Sequence, residues 1–129
     1  MKSINIKARI KRNKLDIVAG KNYRNEESEI VKYLRKTNKD AILGIENENG
    51  LYTILGEEKV YYRNKNGVEG DISLKTILEI LKANALSQGK HGEFDFLKID
   101  EDNSIWLIDP QVMNAMWNTM LLLYDNITS

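Results

Sequence analysis

The 129-residue chain is 42% hydrophobic and 29% charged, ordinary proportions for one globular domain spanning residues 1–129, and its 19 Lys and Arg side chains balance 19 Asp and Glu. It has no cysteine, which excludes disulfides, thiolate metal sites and cysteine nucleophiles and fits a reducing cytoplasm. Met1–Ile10 lacks the continuous apolar run of a signal peptide, and the longest apolar stretch, Met120–Tyr124, is far short of a membrane span, so a cytoplasmic protein without membrane contact is expected.

In chain order, Ile4, Ile6, Ala8 and Ile10 alternate with Asn5, Lys7 and Arg9, a period of two that predicts a half-buried strand over Ser3–Ile10. The short apolar run Leu15–Ala19, bounded by Lys14 and Gly20, reads as the second strand of a hairpin. Asn25 then serves as N-cap for a helix over Glu26–Thr37, with acids at its start, Lys32, Arg35 and Lys36 near its end, and a buried stripe of Ile30, Tyr33 and Leu34.

Three strands follow at Ala41–Glu46, Leu51–Leu55 and Lys59–Arg63. Asn49-Gly50 reads as a two-residue hairpin turn, with both residues at positive φ and Glu48 facing Leu51. Asn66-Gly67 turns the chain toward a second helix, capped by Asp71 or Ser73, carrying Leu74, Ile77, Leu78, Leu81 and Ala85 at helical spacing and stopped by Gly89. A last hairpin pairs Glu93–Ile99 with Ser104–Ile108, and Asp109-Pro110, cap and first helical residue, opens a final helix to about Asp125. The expected fold class is α+β, a mostly antiparallel sheet with three helices in the order ββ-α-βββ-α-ββ-α, covered mainly on one face.

Catalytic motifs are missing. Gly20-Lys21 lacks the other residues of a phosphate loop, and no GxGxxG, GxSxG or HExxH pattern occurs. His91, the single histidine, has no nucleophile or orienting carboxylate at readable spacing and reads as an exposed loop residue. Asp100, Glu101, Asp102 and Asn103 are consecutive oxygen donors, but successive side chains splay apart and the alternate-position ligands of a calcium loop are absent, so they read as a solvated hairpin tip. No cofactor, metal or catalytic residue is therefore assigned.

Charge is polarised along the chain. Residues 1–24 carry eight cationic side chains against Asp16, and from Gly92 onward seven acids face Lys98 alone. Lys7, Arg9 and Lys11, with Arg12 at the turn, form a basic stripe able to neutralise phosphates; no aromatic stacking platform lies within it, and a lysine-blunted sheet edge has the same pattern. The final helix offers a second surface. Val112, Met116, Thr119 and Leu123 share one face, while Met113, Trp117, Met120, Leu121 and Tyr124 share another, an apolar circumference wider than one sheet face covers.

Small size, polarised charge and the absence of catalytic motifs point to a non-enzymatic interaction protein. The richness in Ile, Lys and Asn, which AT-rich codons encode, suits an accessory factor of a phage or other mobile element that occupies the surface of a host macromolecule. Its expected partner is a protein, such as a host nucleic-acid-binding complex, or a second copy in a homodimer. The expected contacts are Asp95, Asp100, Glu101 and Asp102 on the acidic hairpin and Met113 and Trp117 on the last helix. Direct nucleic-acid binding through the basic stripe, and a small-ligand or enzymatic pocket, are the alternatives.

Overall fold

The computed structural model describes residues 14–64, 67–88, 96–99 and 104–128, with the side chains of 84–88, 110 and 126–128 set aside. Its elements are α1 (Leu15–Ala19), a 3-10 turn (Gly20–Asn22), β1 (Tyr23–Arg24), α2 (Glu29–Lys36), β2 (Ala41–Glu46), β3 (Tyr52–Gly56), β4 (Lys59–Arg63), β5 (Glu69–Ser73), α3 (Leu74–Gln88), β6 (Phe96–Lys98), β7 (Ser104–Trp106) and α4 (Pro110–Thr128). The α+β class stands, with four helices among the described residues where three are expected, and β1 and β5 are additional strands. The strand expected over Ser3–Ile10 lies outside the described residues.

Leu15–Ala19 is a helix, not a strand. Leu15 and Ala19 are buried four residues apart, while Ile17, which a strand would turn to the same side, is 70% exposed. A five-residue apolar run does not declare its period, and here the turn set by left-handed Lys14, whose carbonyl accepts from the Ile17 and Val18 N–H groups, decides for the helix.

Strands β1 to β5 form one antiparallel meander in sequence order. The β2–β3 turn is wider than a two-residue hairpin. Asn47 pairs with Leu51, Gly50 alone lies at positive φ (88°), and the Gly50 N–H reaches the Asn47 carbonyl, giving a three-residue loop over 48–50. The Asn47 Oδ1 accepts from the Asn49 and Leu51 N–H groups at 2.9 and 3.0 Å, which holds that wider loop. The β4–β5 turn repeats the arrangement. Asn64 pairs with Val68, its Oδ1 accepts the Val68 N–H at 3.0 Å, and Gly67 is left-handed at 78°. Both turns come from the same tetrapeptide pattern, Asn-x-Asn-Gly, at 47–50 and 64–67. Asn47→Ala should therefore cost about 1 kcal/mol in chemical denaturation, the worth of an exposed side-chain turn bond.

The turn closed by Asn64 and Val68 thus leads into β5 before the helix. Tyr62 pairs with Gly70 and its ring lies where a Gly70 side chain would stand. Ser73, not Asp71, caps α3, its Oγ accepting the Thr76 N–H at 3.1 Å. The expected stop at Gly89 lies outside the described residues. α2 is shorter than the sequence suggests. Asn25 closes a turn with Glu27 and Ser28, and the helix begins at Glu29 after Ser28. Its buried residues are Val31 and Leu34, while Tyr33 is 49% exposed. The final hairpin pairs Phe96–Lys98 with Ser104–Trp106, each strand ending before the expected Ile99 and Ile108. The last helix starts at Pro110 as expected, with the Asp109 Oδ1 accepting the Val112 N–H at 2.9 Å.

The sheet is buried on both faces, not mainly one. Every residue of β3 is buried. Tyr52, Ile54 and Tyr61 point to one side and pack on Val31 and Leu34 of α2. Leu43, Ile45, Leu55, Val60 and Tyr62 point to the other, into a larger core shared with α1, α3, the β6–β7 pair and α4. The Thr53 hydroxyl donates to the Trp106 carbonyl at 2.6 Å, tying the small sheet to the large one.

Candidate functional site

Two features of the described residues are candidates for function, a groove between α3 and α4 and a polar cluster at the β2–β4 end of the sheet. The groove arises from how two apolar helices share one core. α3 buries Leu74, Ile77 and Leu81, and α4 buries Val112, Met116, Thr119, Met120 and Leu123. The Thr119 hydroxyl is satisfied within its own helix by the Ala115 carbonyl at 2.7 Å, so it enters the core without an orphaned donor. Each helix has a second stripe that the core covers only in part. On α3 it is Lys75, Leu78, Glu79 and Lys82; on α4 it is Asn114, Trp117, Asn118, Leu121 and Tyr124.

These stripes face a common furrow of about 640 Å³ with a mainly apolar floor. Leu121 is 46% exposed, Trp117 and Tyr124 are half-buried, and Lys75, Glu79, Lys82, Asn114 and Asn118 are exposed along the rim. A site that buries a small molecule is concave and closes over most of its ligand. This one is a furrow with polar edges, the arrangement of an apolar centre and wet rim found at protein interfaces.

Of the two helix residues singled out by sequence, Trp117 lines this furrow, whereas Met113 is 9% exposed and belongs to the larger core. Trp117 and Met113 therefore have different surroundings although they sit one turn apart. Leu78, Leu121 and the two lysines of α3 were not singled out. Leu121 was visible as part of an over-wide apolar circumference, but nothing in the sequence said that α3 would be its neighbour. Asp95, Asp100, Glu101 and Asp102, the basic residues Lys7, Arg9, Lys11 and Arg12, and His91 all lie outside the described residues.

The polar cluster centres on Tyr61. Its hydroxyl donates to the Asp40 Oδ1 in a short bond of 2.5 Å, and the Asp40 N–H reaches the same hydroxyl at 3.4 Å. Gly56 fits against both, since a side chain there would stand 2.6 Å from the Asp40 carboxylate and 2.9 Å from the Tyr61 ring. Burial, reinforced by the hydrogen bond to Asp40, pushes the Tyr61 phenol up to about 12. Tyr52, on the same face, is raised as well, chiefly by burial and then by Glu69. Among the described residues no cationic or nucleophilic partner accompanies the Asp40–Tyr61 bond in its hydrogen bonding, and its geometry is that of a latch joining the start of β2 to β4.

The latch has a pH signature. An unfolded tyrosine ionises near 10, so above that pH the unfolded chain sheds a proton that folded Tyr61 still holds. The contribution is complete below pH 10 and is lost as pH rises toward 12. Stability measured between pH 9 and 12 should fall, and Tyr61→Phe should flatten that decline.

Among the described residues no three His, Asp or Glu side chains come together as a metal-ligand group, and no helix is long and apolar enough to cross a membrane. Comparison with models of known families, with curated proteins and with solved structures finds no match to this chain.

Proposed function

We propose that this chain is a non-enzymatic interaction protein that acts by binding another protein through the α3–α4 groove. The observation that carries the reading is the cluster of Trp117 and Leu121 with Leu78, apolar side chains held on two helices and only partly covered by the core. Exposed apolar surface with a polar rim marks interaction sites, and Trp and Tyr are enriched among residues that dominate binding energy. Placement on helices fixes the anchors before the partner arrives, which lowers the ordering cost of association. Modulating a host machine by occupying its surface is the role such a protein would serve in a phage or mobile element.

The test is co-purification from the native host with wild type and Leu121→Asp in parallel. Leu121 is exposed enough that the variant should fold as the wild type does, which circular dichroism checks. A specific protein retained by the wild type and lost from Leu121→Asp is the expected result. A partner retained equally by both would place binding elsewhere and remove the groove from the function.

A further inference from the structure

The kind of protein segment that the groove takes follows from its two walls, given the reading of it as a protein-binding site. Lys75, Leu78, Glu79 and Lys82 recur at the three-, four- and seven-residue spacing of one helix face, and so do Asn114, Trp117, Asn118 and Leu121. Two neighbouring helices therefore turn two such stripes into the walls of one furrow, a seat for a third helix packed by its ridges against both. At 1.5 Å per residue the α3 wall runs about 10 Å and the α4 wall about 15 Å, room for two to three helical turns.

An extended segment fits less well. The floor of Leu78, Trp117 and Leu121 offers no sheet edge, so an extended backbone would lay unpaired N–H and C=O groups on apolar side chains. A helix satisfies those groups internally. Charge then selects among helices. Lys75 and Lys82 are exposed, and no ion pair to either is present among the described residues; Glu79 stands between them. Two cations against one anion leave the α3 wall net positive, which favours acidic side chains on the occupant.

We infer that the groove takes an amphipathic helix from a partner protein, apolar at i, i+3 or i+4 and i+7, with Asp or Glu on the flank that faces Lys75 and Lys82. Leucine and acid then meet complementary walls, in the helix-in-groove mode of peptide recognition.

The probes are three synthetic peptides: a helix with Leu at i, i+4 and i+7 and Glu flanks, the same helix with Lys flanks, and the acidic composition scrambled to destroy the period. Binding to the full-length chain is followed by NMR at the Trp117 indole N–H and the Asn114 and Asn118 side-chain amides. The acidic helix should bind about ten-fold tighter than the basic one at low salt, and Lys75→Glu with Lys82→Glu should reverse the order. Equal binding of the two helices, equal binding of the scrambled peptide, or an order that survives charge reversal would overturn the inference. A wild type that sediments as a dimer and is made monomeric by Leu121→Asp would overturn it in favour of a second copy. If the co-purified host protein is lost from Leu121→Asp but binds the charge-reversed chain as before, the acidic helix is wrong and the groove reading stands. If that protein is retained by Leu121→Asp, both fall together.

Discussion

Met116→Ala should destabilise the chain by about 2–5 kcal/mol, the range for truncating a fully buried side chain and leaving a cavity. Met116 is fully buried at the centre of the larger core, on the α4 face that also buries Val112, Thr119 and Leu123. Against a total stability on the order of 5–15 kcal/mol, that loss is severe. Leu121→Asp, five residues along the same helix, should stay within about 1 kcal/mol of wild type, because it changes a half-open position and chiefly costs helix propensity. Urea denaturation of the two variants separates the faces of α4 directly. Comparable losses in both would mean that the groove side of the helix is as much core as the buried side. Trp117→Ala should fall between them, since its ring is only partly buried.

Gly44→Ala is the second large effect, and it comes from the sheet. A side-chain carbon at Gly44 would stand 2.1 Å from the Thr53 carbonyl oxygen, 2.7 Å from the Ile54 Cα and 3.0 Å from the Thr53 carbonyl carbon. All three are backbone atoms of β3, so no flexible side chain can yield and the central β2–β3 pair must part. A cost at or above the usual range for overpacking, about 1–3 kcal/mol, is expected, with a lowered midpoint in thermal denaturation. A stable Gly44→Ala protein would show that this crossing is looser than its geometry states.

Much of the fold was legible because its signals were local. The β-forming residues of β2 to β4, the helical spacing of Leu74 to Leu81, and Asp109-Pro110 each declare their element within a few residues. β5 was not legible. Glu69, Gly70 and Asp71 have no strand character of their own; they become a strand by pairing with β4, and Tyr62 fills the space over Gly70. The second Asn-x-Asn-Gly, at 64–67, was the signal that announces that hairpin, as strong as the first at 47–50.

The site divides in the same way. Trp117 stands out in any reading of the last helix, because an aromatic on an over-wide apolar face must be either core or contact. The groove itself was not readable. Its walls lie on α3 and α4, separated in sequence by the β6–β7 hairpin, and only the packing of the two helices against one core brings Leu78 beside Leu121. Exposure, moreover, belongs to the folded molecule: Met113 and Trp117 look alike in sequence, yet one is buried and the other faces the furrow.

A photo-crosslinking amino acid placed at Asn118, on the groove rim, and in a separate variant at Lys36, exposed on α2 across the sheet, tests the groove most directly. Irradiated in the native host, the Asn118 variant should capture one protein in high yield, and adding Leu121→Asp should abolish that adduct; the Lys36 variant should capture none of it. The same adduct from both positions, or an Asn118 adduct indifferent to Leu121→Asp, would contradict the assignment of the α3–α4 groove as the surface through which this protein acts.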